Sequence, residues 1–362
     1  MQGDDGSWAS KYRAGFGAYD SCAAKLKSLL LDLLEDAQID VVALESRAKA
    51  PESLERKVEE KRETYENPLL DVTDLIGVRV IAYYLEDVDK ICEFIRREFV
   101  VDAENSSDKL DGLEPDRFGY RSVHFVMSLN EPRASLAEWA VFEGKKAEIQ
   151  VRTATQHAWA AVEHKLNYKR ASEAPRKLRR KLMRLSALFE LADEQFSVVK
   201  DELEDVEASY SDEVRGGNLD LPIDTSSLDA FLRANPLVAD VIERFQSRGL
   251  AAKSSLEGYQ ERYARDLRDL VMVCESIELR TIAELERSVR TASEDHAEIE
   301  RLISVLKTHY SNLRSPADLL TFLLGVDRKV PIQALESAYN KFDAKVFKEL
   351  RGEPLVEVRP ES

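Results

Sequence analysis

Leu26, Leu29, Leu30, Leu33 and Leu34 recur at helical spacing with charges between them, so a packing helix is expected from about Ala18 to Ala37. The apolar run Val41-Val42-Ala43-Leu44 reads as a short strand, and Pro51 suits the first position of a helix that follows it. Gly77-Val78-Arg79-Val80-Ile81-Ala82-Tyr83-Tyr84 is rich in β-branched and aromatic residues and reads as a central strand. A helix from Glu86 to Glu98 turns Val88, Ile91, Cys92 and Ile95 inward, Phe99-Val100-Val101 is a further strand, and Asn105 to Arg117 is a polar loop. Ser122 to Leu129 and Ala147 to Val151 complete the strands, with a helix-bearing excursion over Glu131 to Lys146. Thr153 can cap a helix through Gln156 to Tyr168, with Trp159, Val162 and Leu166 on an apolar face and Glu163 and Asn167 on a polar one. A long helix should run from Arg176 to about Glu204.

The stretch Ser209 to Pro222, with Gly216-Gly217-Asn218, is the expected domain boundary, giving residues 1–208, a linker 209–222 and residues 223–362. Beyond it the pattern is helical. Ser226 with Asp229, Thr281 with Glu284, and Ser315-Pro316 with Asp318 place a capping residue ahead of an acid, and four to six helices ending near Arg351 are predicted. The expected class is α+β, a domain of strands and helices followed by an all-α domain.

The apolar fraction of 44% allows real cores, and the formal net charge of -16 argues against general affinity for nucleic acid, which rests on Lys and Arg displacing counterions. The one basic cluster, Arg176-Lys177-Leu178-Arg179-Arg180-Lys181, is either a phosphate or RNA contact or a solvated helix face. Cys22, Cys92 and Cys274 lie far apart, which suggests neither a zinc ribbon nor a disulfide framework. No apolar run reaches a membrane span and Met1-Gln2-Gly3-Asp4-Asp5 is unlike a signal peptide, so no membrane partner and a cytoplasmic setting are expected.

The candidate chemistry centres on Phe118-Gly119-Tyr120-Arg121-Ser122-Val123-His124 and Ala147-Glu148-Ile149-Gln150-Val151-Arg152-Thr153. An aromatic ring, a histidine, a carboxylate, an amide and an arginine can stack on a base, balance phosphate charge and take a proton from a hydroxyl, as phosphoryl transfer between nucleotides requires. The alternative is a pair of amphipathic strands with polar outer faces. Arg47 and Lys49 on the turn before Pro51, with Ser53 and Lys57 on one helix face, suit a polyphosphate or an ordinary charged surface. Arg79 inside an apolar strand must reach a partner or a ligand. None of His124, His157, His164, His296 and His309 precedes an Asp, so a His-Asp metal phosphohydrolase is not expected.

In order, Arg47-x-Lys49-x-x-x-Ser53-x-x-x-Lys57, Asp74-Leu75-Ile76-Gly77-Val78-Arg79, Gly119-Tyr120-Arg121-Ser122-x-His124, Glu148-Ile149-Gln150-Val151-Arg152-Thr153 and Trp159-x-x-x-Glu163-His164-x-Leu166-Asn167-Tyr168-Lys169 resemble the synthetase domain of the RelA/SpoT family. The resemblance runs from about Leu44 to Tyr168 and is nearest to the small alarmone synthetases. It implies a mixed five-stranded sheet flanked by helices, of nucleotidyltransferase type. It also implies that the β,γ-pyrophosphate of ATP passes to the 3′-hydroxyl of GDP or GTP, releasing AMP, with Mg²⁺ as cofactor. Arg47, Lys49, Ser53, Lys57 and Arg79 would then bind ATP, Asp74 with Glu148 or Glu163 would hold the metal, and Glu148 would draw the acceptor's proton. Tyr120, Arg121, His124, Gln150, Arg152 and Asn167 would bind the acceptor. Two features depart from the family pattern: the loop Glu114-Pro115-Asp116-Arg117-Phe118 is mostly acidic, and the helical C-terminal half matches no familiar regulatory domain. The first admits transfer to the 3′ end of tRNA; the second admits an effector, a protein partner or a homo-oligomer. A non-catalytic nucleotide sensor is the third reading.

Overall fold

The computed structural model describes residues 7–61, 64–108, 122–167, 176–250, 259–310, 315–326, 330–331, 333–335 and 341–352. The chain divides into two compact units, Met1–Lys200 and Asp201–Ser362.

The first unit is built on a five-stranded mixed sheet of β1 (Ala43–Ala48), β2 (Ile76–Ala82), β3 (Phe99–Asp108), β4 (Val123–Leu129) and β5 (Ala147–Thr153), in the order β1-β2-β5-β4-β3. The pair β2 and β5 is parallel and the other pairs are antiparallel. Strand alternation sends Val78, Val80, Ile149, Val151, Phe125 and Met127 to one face. There they pack with Leu26, Leu30 and Leu34 of α1 (Trp8–Asp36) and with Ile91 and Ile95 of α4 (Leu85–Glu98), all buried. Each such side chain contributes about 1.5–3 kcal/mol by leaving water, so this face is the core and the other is left for chemistry. A smaller cluster of Tyr12, Leu54, Val58, Val72 and Leu75 seats α2 (Pro51–Glu60) and the short α3 (Pro68–Asp71) against the start of α1.

Several expected boundaries move: α1 begins at Trp8 rather than about Ala18, and β2 ends at Ala82, leaving Tyr83 outside it and Tyr84 as the cap of α4. β1 begins two residues later than Val41 and runs on through Arg47, because Ser46, Arg47 and Ala48 pair with Val78, Gly77 and Ile76. Arg47 is therefore a strand residue, not a turn residue. β3 continues to Asp108 past a bulge between Asp102 and Ser107, since Ser107 and Asp108 pair with His124 and Val123, so Asn105 to Asp108 is strand and not loop. The rest of that loop lies outside the described residues. Between β4 and β5 lie α5 (Glu131–Ala134) and a 3₁₀ turn at Ala137–Phe142.

Thr153 caps α6 (Ala154–Asn167), its Oγ1 accepting from the Gln156 amide at 3.1 Å. Trp159 is buried, whereas Val162 is exposed and so does not belong to the expected apolar face. The long helix α7 (Arg176–Arg215) extends eleven residues past Glu204, so the first half of the stretch read as a linker is helical. Gly216 and Gly217 then end it, Gly217 with a φ of 83° that a side chain would strain.

Among its described residues the second unit contains α8 (Thr225–Ala234), α9 (Pro236–Ser247), α10 (Tyr259–Ser276), α11 (Ile282–Glu294), α12 (His296–His309), α13 (Pro316–Gly325) and α14 (Lys341–Arg351) around Phe231, Phe245, Leu270, Phe322 and Phe347. There are more helices than the four to six expected because Asn235 ends α8 and caps α9 with no residue between, and Asp295 does the same for α11 and α12. Thr281 with Glu284 forms a capping box and Ser315 accepts from the Asp318 amide. Ser226 is not a cap: Asp224 takes that position, in a capping box with Ser227.

Candidate functional site

The polar face of the sheet carries one continuous row of side chains. Glu45 pairs with Arg79, Arg79 with Gln150, and Gln150 with His124 by strand register, so four strands bring four polar residues into line. The next row holds Arg47, Gly77 and Glu148. Both rows border a cavity of about 710 Å³ whose lining includes Arg47, Lys49, Asp74, Arg79, His124, Glu148 and Gln150. Seven of the residues singled out by sequence thus share one space. Lys27, Glu45 and Gly77 line it as well.

At the cationic end, Lys49 Nζ and Lys57 Nζ donate to the two oxygens of Asp74 at 2.6 and 2.8 Å. Burial alone would push the Asp74 carboxyl up, but these hydrogen bonds and charges overcome it and hold the group below the usual carboxylate range. Tyr12 fixes the backbone here, its hydroxyl donating to the Lys49 carbonyl at 2.6 Å; burial, with Tyr19 and Asp74 nearby, pushes its phenol up to about 12. Ser53, on α2, makes a backbone bond to Ala50 and does not line the cavity.

At the other end, His124 Nδ1 lies 2.5 Å from Glu148 Oε1, and its Nε2 lies 2.7 Å from both Gln150 Nε2 and Ser122 Oγ. Arg79 donates from Nε to Gln150 Oε1 at 2.9 Å and from Nη1 to Glu45 Oε2 at 2.6 Å. The partner that an arginine in an apolar strand demands is therefore present.

Arg152 is buried one step further along β5, its Nη2 2.9 Å from His157 Nδ1, and it does not line the cavity. Burial and the Arg152 charge push the His157 imidazole below its usual range, which suits a ring paired with a guanidinium. Glu163 lies on α6 and is partly buried, and Asn167 ends that helix. Tyr120 and Arg121 fall outside the described residues.

Glu45 and Lys27 were missed as candidates. Glu45 had a signal: it stands two residues before Arg47, hence on the same strand face once β1 is extended. Lys27 had none, since its place in α1 is that of any solvated lysine.

Among the described residues no group of three or more His, Cys, Asp or Glu could by itself hold a metal ion. Asp74 and Glu148 both line this cavity and are hard oxygen donors, few in number, which fits a divalent cation that takes its remaining ligands from phosphates.

Residues 46–173 match the family described as "Region found in RelA / SpoT proteins". The chain contains a RelA/SpoT region. That region begins within β1 and takes in every cavity residue named above except Lys27 and Glu45. Over 223 residues the chain is 28% identical to GTP pyrophosphokinase YjbM of Bacillus subtilis, an alignment covering 59% of this chain and 98% of that one. It is 27% identical over 161 residues to GTP pyrophosphokinase YwaC of the same organism, covering 44% and 73%. The crystal structure of small alarmone synthetase 1 from Bacillus subtilis is 25% identical, with a TM-score of 0.46, over 54% of this chain and 98% of that one. The RelA/SpoT region lies wholly within the first unit.

Proposed function

We propose that the first unit is a (p)ppGpp synthetase, transferring the β,γ-pyrophosphate of ATP to the 3′-hydroxyl of GDP or GTP and releasing AMP. The observation that carries this reading is a single cavity with a carboxylate, Glu148, at one end and phosphate-type cations, Arg47 and Lys49, at the other. That the two curated relatives are both named GTP pyrophosphokinase supports the same reaction class.

In the reaction so read, Glu148 accepts the proton of the acceptor hydroxyl. The new bond forms between O3′ and the β-phosphorus, and the bridging oxygen leaves with AMP. Arg47, Lys49, Ser53 and Lys57 receive the ATP phosphates, and the flat Arg79 guanidinium offers a surface for adenine. Asp74, with Glu148 or Glu163, would hold Mg²⁺, which accepts one or two carboxylates and completes its shell from phosphates and water. That ion would neutralise charge on the transferred group. Lys49 and Lys57 must release Asp74 for this, and incoming phosphates are the groups that would draw them away. His124, Gln150, Arg152 and Asn167, with Tyr120 and Arg121, are the proposed acceptor side. The helical second unit is proposed as a regulatory or interaction module.

The test is Glu148→Gln. Transfer should fall by at least about a hundredfold, the usual range for losing a general base, while a non-hydrolysable ATP analogue still binds. Turnover left nearly intact would remove Glu148 from that role.

A further inference from the structure

We propose that Glu45 is a positioning residue that, through Arg79, sets the direction of a hydrogen-bond row ending on Glu148. The inference rests on the synthetase reading for its consequence in catalysis, but its geometry stands apart from it.

The argument starts from what each group can do. A guanidinium donates and never accepts. The Gln150 atom facing Arg79 Nε at 2.9 Å must therefore be its oxygen, which turns the amide NH₂ toward His124. That NH₂ can only donate, so His124 Nε2, at 2.7 Å, is the accepting nitrogen; the Ser122 hydroxyl oxygen lies 2.7 Å from the same nitrogen. The ring hydrogen then resides on Nδ1 and is donated to Glu148 Oε1 at 2.5 Å. Every bond from Arg79 onward points the same way. One group without an acceptor thereby fixes an amide rotamer, an imidazole tautomer and the orientation of the carboxylate at the far end.

Glu45 is what holds Arg79 at the origin of this row. It accepts from Nη1 at 2.6 Å, on the opposite side of the guanidinium from Gln150, so the plane is clamped from two sides. The Glu45 side chain is 50% exposed and that of Arg79 is 30% exposed. A pair so open to solvent adds little to stability, so the consequence of the contact is orientation. The row also joins the donor side of the cavity, where Arg79 is proposed to meet adenine, to the proposed base.

The experiment uses the full-length protein and two readouts. In protein labelled with nitrogen-15 at its five histidines, with His124 assigned by the loss of its signal in His124→Asn, the wild type should show the hydrogen on Nδ1. Glu45→Ala and Gln150→Ala should both shift population to the Nε2–H tautomer. In steady-state assays Glu45→Ala should lower kcat about ten- to a hundredfold, the scale of a misplaced reacting group, and by more than it raises KM for ATP. Glu45→Gln, which keeps an accepting oxygen, should recover most of the loss. A wild-type His124 protonated at Nε2, or a Glu45→Ala effect confined to KM, would overturn the proposal. If the wild type transferred pyrophosphate to no acceptor, the synthetase reading would fail, and the tautomer and its response to Glu45→Ala would still decide whether the row is real.

Discussion

Gly77 shows how much one residue's emptiness can matter. It stands in register between Arg47 and Glu148, on the floor of the cavity, and a Cβ built there would meet only the Arg47 carbonyl at an ordinary 3.7 Å. The fold does not need glycine here, and a strand prefers almost anything else. Gly77→Ala should therefore leave the thermal midpoint unchanged or raise it slightly while weakening nucleotide binding. Calorimetric unfolding and titration with an ATP analogue would separate the two, and a large loss of stability would count against a bare floor kept for ligand. A second residue, Asp269, sets a pH dependence in the other unit. It is nearly buried one turn from Asp266, and burial, then the Asp266 charge, push its carboxyl up to about 6 from 3.8. A raised carboxyl favours the neutral form in the folded state. Its contribution to stability is thus intact below about pH 4 and is lost as pH rises through about 6, by at most about 3 kcal/mol. Asp269→Asn should unfold at higher temperature than the wild type at pH 7 and match it below pH 4; a gap of equal size at both would contradict this account.

At the scale of elements, what was legible in the sequence depended on whether neighbours or local preference decided a boundary. α4 falls within a residue of its expected start because its apolar spacing is complete and self-sufficient. β1 was cut short because Ser46, Arg47 and Ala48 have no strand preference of their own, and β2 supplies their pairing. That one misplaced end hid Glu45. The same distinction applies to α13 and α14, where a tight contact decides what a position tolerates. Gly325 ends α13 against the ring of Phe347, which stacks on Phe322 with centroids 4.7 Å apart, and Arg351 Nε donates to the Gly325 carbonyl at 2.7 Å. A methyl at Gly325 would run into that ring. Gly325→Ala should destabilise the second unit by about 1–3 kcal/mol through overpacking, read as a lower denaturant midpoint, and a neutral result would mean that Phe347 moves aside freely.

Over the whole molecule, the site was more legible than the domain boundary. Arg79 announced itself as a cation in an apolar strand, and Asp74, His124, Glu148 and Gln150 came from motifs whose order along the chain matches their convergence in space. Arg152 and Glu163 were placed by the same motifs but sit away from the cavity wall, because a motif records neighbours in sequence and says nothing about depth. The boundary was blurred because α7 runs through it: the helix continues to Arg215 without a break in pattern, while the buried core of the second unit begins at Val214. The role of the second unit follows from no motif, since capping boxes and apolar spacing describe how helices start and pack, not what they bind. The central claim, that this RelA/SpoT region moves pyrophosphate onto a guanosine nucleotide, is tested most directly by incubating the protein with Mg²⁺ and ATP labelled in the β or γ phosphate. GDP, GTP, ATP and bulk tRNA would be offered separately and the products resolved by thin-layer chromatography. The account predicts label on GDP or GTP together with release of AMP; label on tRNA alone, or on no acceptor at all, would contradict it.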